Sequence, residues 1–488
     1  MTPTSEAERA GRPWVWLAAL IVATMSIGAI AATIGPLRDI DLYWHIRLGE
    51  ELLDGVSIYN AGRDWSFAPV EYAWVSTQWI TELIFAGLYN LAGFEGLILF
   101  RTVTTMLTIL TLSLVIFRQT RVWAALVVLP LPILTLLIFA QERPQQVSFV
   151  ILPIVGYWWL RAVRDSVAPR WWVLLPLAAF WANSHGLWVM LPIALALAFL
   201  GRLLDHGRTD PALRPLAIGT IVSVIGGAIT PVGPLNLLAP IRFAGTTSHI
   251  KEWEPTNFIY PASYGLSLML LIAVIAWSRG RVRPPRSEVL FTVAIALFAA
   301  SASRNICAAV LLLAPVITWR LSTSFAGPKP RPIPDGLRTV VKPYALAAST
   351  LAVIMAGVVV AISVPLPAGS APTGLIGEIA NNPTQTRVLN SYNAGGLVLW
   401  FARPDVSEAF VQVGIDGRAD RYGAAYIQEY LAMQRGTPGW ERTVARLEPD
   451  VALLADDEAL VPLLQSQGWQ VMGREANYVL LTPPGRAL

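Results

Sequence analysis

Charge and cysteine are the two things this chain has least of. Only 14% of its 488 residues are Asp, Glu, Lys or Arg, against roughly 25% in ordinary soluble domains. With 55% hydrophobic residues and a mean hydropathy of +0.53, a soluble globular class is excluded and a polytopic membrane protein fits. The single cysteine, Cys307, sits inside an apolar run, so an intrachain disulfide is excluded. A net charge of +4 records basic loops in such a protein, and no nucleic-acid partner is read from it. There is no P-loop, HExxH or GxSxG, and the four histidines are too scattered for a ready zinc site. No internal repeat is visible, which weakens a secondary-transporter reading.

What the chain has is apolar length. Long runs lie near 14–34, 97–117, 122–140, 147–160, 171–183, 187–201, 215–230, 262–278, 287–302, 305–319 and 343–365, which predicts about eleven transmembrane helices. Trp14–Ile34 is longer than the roughly 7–15 residues of a cleaved signal core, so it reads as a first span. Gln78–Ala92 carries Glu82 and reads as an amphipathic helix lying at the interface. Positive charge decides between these counts. With the N-terminus in the cytoplasm and Gln78–Ala92 outside, inner loops collect 19 Arg and Lys against 8 outside before residue 366. A twelfth span would invert every later loop. The expected location is therefore the plasma membrane, multi-pass, with the C-terminus outside. The 19 tryptophans suit aromatic belts at the two surfaces.

The expected organisation is a transmembrane domain over 1–365, with a first extracytoplasmic loop at 35–92, and an extracytoplasmic α/β domain over 366–488. In the latter, strand-like runs fall at Thr386–Asn390, Gly396–Phe401, Ala409–Ile415, Val451–Leu454 and Tyr478–Leu481. Helix-like runs fall at Ala424–Arg435, Gly439–Leu447 and Glu458–Gln467. Residues 322–342 form a proline-rich cytoplasmic connector.

This topology sends the unusual polar clusters to the outer face. They are Asp39/Asp41/His45, Gln141–Gln145 around Arg143, Asn183-Ser184-His185-Gly186, His249–Glu254, and Ser303-Arg304-Asn305. Polar groups near membrane depth are costly and usually serve a cavity, so the clusters predict one extracytoplasmic cavity. In Asp39-x-Asp41 one carboxylate can deprotonate an acceptor hydroxyl while the other holds a divalent cation. A helix starting at Asp41 would put Trp44 and His45 on the same face. The plainer reading is that the two acids favour a helix N-terminus. Arg143 and Arg304 suit a phosphate, or else pair with nearby carboxylates. Asn183, His185 and Asn305 are candidate substrate contacts. Glu252 supplies a carboxylate for hydroxyl or metal, and Trp253 an indole for stacking. Asp416-Gly417-Arg418-Ala419-Asp420-Arg421-Tyr422 is a polar turn that is either held by Asp–Arg pairing or a set of lid residues facing the cavity.

Taken together, these features resemble the GT-C superfamily of multi-spanning glycosyltransferases that use polyprenyl-phosphate sugars. More narrowly, Asp39-Ile40-Asp41-Leu42-Tyr43-Trp44-His45-Ile46-Arg47-Leu48-Gly49 is similar to a DxDxWWHxxxG loop of poorly characterised bacterial members, with Tyr43 in place of the first tryptophan. Asp64-x-Ser66-Phe67, Trp74, Trp79-x-x-Glu82, Arg143-Pro144, Asn183-x-His185-Gly186, Glu252-Trp253, Arg304-Asn305 and Asp416-Gly417-Arg418 are similar to accompanying motifs. No WWDYG-like sequence is present, which disfavours the oligosaccharyltransferase branch.

The resemblance implies an inverting transfer from a polyprenyl-phosphate donor to an outer glycan, lipid or protein acceptor. It implies Asp39 or Asp41 as base or metal ligand. The site expected from both lines is Asp39 and Asp41 for catalysis, with Arg143 and Arg304 for the donor phosphate. Trp44, His45, Asn183, His185, Glu252, Trp253, Asn305, Asp416 and Arg418 are expected around the substrate. Asp41 and Glu252 are expected to hold any Mg or Mn ion. The competing readings are a flippase for lipid-linked sugars and a non-catalytic envelope assembly subunit.

Overall fold

The computed structural model describes residues 23–69, 74–239, 251–280, 283–325, 371–382, 386–403 and 410–486. The expected span at 343–365, the connector from 326 on, His249 and the residues before 23 lie outside them. Contacts divide the chain into two compact units. One contains Met1–Gly35, Ile98–Leu237 and Lys251–Ser363; the other contains Pro36–Leu97, Leu238–Ile250 and Val364–Leu488. The first outer loop therefore clusters with the C-terminal segment.

In the first unit the described apolar runs are helical, as expected where hydrocarbon offers the backbone no partner. Among the described residues five helices are long and apolar enough to cross a membrane: Trp79–Phe117, Gln145–Asp165, Gly186–His206, Pro261–Arg279 and Ser303–Ser324. Shorter apolar helices cover Ala23–Thr33, Val122–Ile138, Trp171–Ala182 and Leu213–Gly227, and another helix covers Arg286–Ser301. The count of eleven spans stays a reading of the sequence. Helix Ile306–Ser324 is buried along nearly its whole length and packs against Gln145–Asp165, Tyr264–Arg279 and Arg286–Ser301.

Charges inside this unit come with partners, because a lone ion there would be prohibitively costly. Arg320 pairs with Glu288, whose carboxylate also accepts the Trp277 indole N–H at 2.6 Å. Arg202 donates to both oxygens of Asp210, at 2.5 and 2.8 Å. The fully buried Arg101 pairs with Glu142 and donates to the Thr33 and Gly35 carbonyls. It thereby closes the exposed carbonyl end of helix Ala23–Thr33.

The second unit is built on a five-stranded sheet, β1 (Thr386–Asn390), β2 (Val411–Val413), β3 (Val451–Ala455), β4 (Gln470–Glu475) and β5 (Tyr478–Thr482), in the order β2-β1-β3-β5-β4. The β2-β1-β3 trio is parallel and β5 and β4 are antiparallel. Helices Ala419–Gln434, Trp440–Leu447 and Leu460–Ser466 supply much of the core that covers it. The first outer loop joins the free edge of the sheet. Ser66 bridges Val413 in parallel, the Phe67 N–H donates to the Val413 carbonyl at 3.3 Å, and Gln412 donates to the Asp64 carbonyl at 2.9 Å. An edge strand's unpaired backbone groups are a ready template, and this loop uses them.

Gly396–Phe401, expected as a strand, is part of helix Gly395–Phe401. Its residues from Gly395 to Trp400 are buried on every side, so neither a period of 2 nor of 3.6 shows in the sequence. The helix packs on Leu42–Leu53, and the Arg47 guanidinium caps its Leu399 carbonyl. Its Trp400 joins Tyr43, Tyr89 and Phe94 in an aromatic cluster with centroids 4.9–6.4 Å apart. Tyr43, the departure from the tryptophan pattern, is thus a packing residue. No run in the sequence marks strand β4, an exposed edge whose polar and apolar residues do not alternate.

Helix Leu42–Leu53 crosses Trp79–Phe117 at Gly49, where a β-carbon would overlap the Glu82 carbonyl and approach Ala86. Gly49→Leu should therefore lower the thermal midpoint of the purified protein by several degrees, corresponding to a loss of about 1–3 kcal/mol. An unchanged midpoint would contradict this crossing.

Candidate active site

Three sequence-distant segments of the second unit build the site: the start of helix Leu42–Leu53, the first turns of helix Trp79–Phe117, and Asp416–Asp420 after β2. Asp41 occupies the N-cap of the first helix and makes no side-chain capping hydrogen bond there. Asp39, which is buried, accepts the Asp41 backbone N–H at 3.2 Å. The plain capping role thus goes unfilled by Asp41, while Asp39 takes up a local backbone bond.

One turn on, the Trp44 ring lies over His45 with centroids 3.6 Å apart. His45 Nδ1 meets Glu82 Oε1 at 3.1 Å, with both side chains buried. A carboxylate on one imidazole nitrogen fixes ring orientation and directs the other nitrogen elsewhere. Two buried polar atoms in this group, Trp44 Nε1 and Glu82 Oε2, have no hydrogen-bond partner among the described residues.

The Asp416–Asp420 segment presses against this group through Gly417. A β-carbon there would overlap Asp41 Oδ1 and crowd the Trp44 indole nitrogen, so only glycine allows the approach. Asp416 and Arg418 pair as the plainer reading expected, with Arg418 Nε and Nη2 on Asp416 at 2.9 and 2.6 Å. Arg418 does more. Nη1 donates to the Gly62 carbonyl at 2.6 Å, and its guanidinium lies 4.7 Å from the Trp65 ring and 5.0 Å from Trp74. Burial opposes the Asp416 charge, but Arg418 and the Tyr422 hydroxyl outweigh it and hold the carboxyl below its ordinary value.

Behind the turn stands a ladder that sequence reasoning passed over. Tyr422, just before a kink at Gly423, and Tyr426 and Tyr430, at i, i+4 spacing on the helix beyond it, stack in turn and donate to Asp416 Oδ2, the Gly414 carbonyl and the Asn390 carbonyl at 2.7, 2.8 and 2.8 Å. Asn390 completes the frame by accepting the Gly414 N–H at 2.9 Å and donating to the Ile415 carbonyl at 2.8 Å. The spacing was legible; the targets were not. Glu82 and Trp74 stood among the motif residues, but their partners could not be read. Asp420 lies within the expected polar turn, but its burial was not legible in the sequence. Burial pushes its carboxyl up to about 6 against the pull of the Trp74 indole, and the nearby Glu82 adds to the rise.

The remaining expected residues belong to the helical unit. Arg143 Nη1 donates to both oxygens of Glu252, at 2.8 and 2.6 Å. Its expected neighbour Glu142 pairs instead with Arg101. Arg304 lies 4.4 Å over the Trp253 ring, and the Ser303 hydroxyl donates to the Glu252 carbonyl at 3.0 Å. The two arginines are thus gathered by one short segment, Glu252-Trp253. Asn183 donates to the Ala179 and Ile229 carbonyls, and Asn305 to the Phe298 carbonyl and Ser301, so both amide nitrogens tie helix ends. His185 is bonded to Ser148 at 2.8 Å. Among the described residues no group of three or more His, Cys, Asp or Glu is placed to hold a metal.

Fold and site together define a protein with several helices long and apolar enough to cross a membrane and a small C-terminal sheet whose turn packs on an acidic, aromatic first loop. Among solved structures, the chain is similar to the crystal structure of ArnT from Cupriavidus metallidurans bound to undecaprenyl phosphate. The TM-score is 0.52 at 12% identity, covering 96% of this chain and 98% of that one. No protein-family model matches, and no curated protein matches by sequence. The likeness is one of fold.

A carboxyl raised by the fold is disfavoured there as an anion. Stability therefore falls as pH rises from its ordinary 3.8 through about 6. Asp420→Asn should remove part of that loss. Thermal midpoints of the two proteins should differ more at pH 7 than at pH 4, in favour of the variant, and a constant difference would contradict the assignment. Comparison with the wild type cancels the parallel contribution of Glu458, whose carboxyl burial pushes up to about 7.

Proposed function

We propose that this protein is a membrane glycosyltransferase that moves a sugar from a polyprenyl-phosphate-linked donor to an extracytoplasmic glycan, lipid or protein hydroxyl. The observation that carries the reading is the Asp41–Trp44–His45–Glu82 group packed on Gly417. It sets a carboxylate, an indole and an oriented imidazole on one helix start, in a fold similar to a protein bound to undecaprenyl phosphate. In this reading Asp41 is the general base. The acceptor oxygen attacks the anomeric carbon, its proton passes to Asp41, and the sugar–phosphate bond breaks with its electrons leaving on polyprenyl phosphate. The configuration inverts.

His45, oriented by Glu82, and Trp44 bind the sugar or the acceptor. Asp39 shapes the loop that presents Asp41. Asp416 and Arg418 hold the turn against it. Arg143 and Arg304 bind the donor phosphate, a role suited to guanidinium forks. Trp253, under the Arg304 guanidinium, and Asn305 beside it support that arginine region.

The test is transfer of labelled sugar from a panel of polyprenyl-phosphate sugars in membranes, with and without Mg or Mn. Asp41→Asn should cut transfer at least about a hundredfold, the scale of a lost general base. Transfer that survives both Asp41→Asn and Asp39→Asn would remove the catalytic assignment. Sugar that merely crosses the bilayer without forming a new glycoside would favour the flippase.

A further inference from the structure

The ion pairs that Arg101, Arg202 and Arg320 make with Glu142, Asp210 and Glu288 are buried on both sides. The pair of Arg143 with Glu252 is different, because 18% of the arginine side chain and 43% of the glutamate side chain stay exposed. Breaking a buried pair strands a charge in a poor solvent, whereas a half-exposed pair returns its ions to water at little cost. Yet the contact is well made, with Arg143 Nη1 donating to both Glu252 oxygens at 2.8 and 2.6 Å. Arg143 also stands just ahead of Pro144, the N-cap of the 21-residue helix Gln145–Asp165, so the positive end of that helix adds to the guanidinium. An anion is thus seated on Arg143, and it is the protein's own carboxylate.

The backbone under Glu252 need not move for that carboxylate to leave. The Ser303 hydroxyl donates to the Glu252 carbonyl, the Ser303 N–H to the Glu254 carbonyl and the Thr256 N–H to the Ala300 carbonyl, each at 3.0 Å. Arg304 lies over the Trp253 ring at 4.4 Å. These ties hold residues 252–256 against 300–304, and rotation of the Glu252 side chain is the motion that opens the pair.

We propose that Glu252 is an internal counter-anion of the donor-phosphate site, which occupies Arg143 when no lipid phosphate is bound, swings aside for the donor and returns to displace the polyprenyl phosphate product. This rests on the transferase reading above and gives Glu252 a role in it other than substrate or metal contact. One oxyanion exchanges for another on the guanidinium, and no covalent bond is made or broken. The donor is a phosphate diester with one charge, but transfer leaves a monoester that loses a second proton at about pH 6. The product is therefore the tighter ligand of a guanidinium, and a competing carboxylate acts most on its release.

The first arm of the test needs no transfer. Binding of a short-chain polyprenyl phosphate to the detergent-solubilised full chain is measured by titration calorimetry. Glu252→Gln removes the competing charge and keeps the shape, so it should bind about tenfold more tightly than the wild type, the scale of one hydrogen bond to a charged group. Glu252→Ala, the second variant, should move the same way, and both should keep the wild-type thermal midpoint because a half-exposed pair contributes little. Arg143→Gln should bind more weakly, and adding Glu252→Gln to it should bring no gain, since the competition exists only on that guanidinium. Binding that Glu252→Gln and Glu252→Ala leave unchanged or weaken, beside a loss in Arg143→Gln, would overturn the counter-anion and leave the phosphate role of Arg143 standing. A gain that persists without Arg143 would overturn it as well. No binding by the wild type and Glu252→Gln alike would remove the transferase reading, and the counter-anion with it.

The second arm uses the transfer assay. Glu252→Gln should lower the inhibition constant of polyprenyl phosphate more than it lowers the donor KM. An equal fall in both would overturn the part played in product release.

Discussion

A guanidinium shut away from water must have its donors met by protein, and Arg418 meets that demand by reaching across 356 residues of chain to the Gly62 carbonyl. Desolvating this ion is expensive, and only good geometry offsets the cost. Asp416 supplies a two-point pair, Tyr422 holds Asp416, and the Trp65 and Trp74 rings lie beside the guanidinium. The site depends on this clasp. It joins the end of β2 to the first outer loop, and Gly417, one residue earlier, sets the turn against Asp41 and Trp44.

Rigidity reaches the clasp from behind. Three stacked tyrosines and Asn390 fix the backbone from Gly414 to Asp416, so the turn stands on a helix and a sheet. From the loop side, Glu51 accepts the Gly62 N–H at 2.7 Å and the Trp65 indole at 2.6 Å, so both walls of the clasp are held by buried or half-buried hydrogen bonds. Such support holds Asp41 and Trp44 in a set geometry. The C-terminal segment is then structural partner to the acidic loop, in one compact unit with it.

The helical unit applies the same economy to its own charges. Arg101 satisfies the carbonyl end of the first helix and pairs with Glu142, the residue before Arg143. Arg143 in turn pairs with Glu252, whose neighbour Trp253 carries Arg304. Every arginine in this chain of contacts is tied to a turn between helices, where backbone geometry can hold it.

The class of the chain, its helices and the acidic start of its first loop follow from the sequence, because membrane residence is written in composition and run length. The Asp41, Trp44, His45 spacing is likewise local, as is the tyrosine period of the later helix. What the tertiary structure decided is pairing. His45 with Glu82, Arg143 with Glu252 rather than Glu142, Ser148 with His185 and Arg418 with Gly62 each join residues 37 to 356 apart. Gly395–Phe401 became a helix because burial on all sides erases the period that would have announced it. Hydrophobicity is a property each residue carries with it, whereas a hydrogen bond across hundreds of residues exists only once the fold has brought its two ends together.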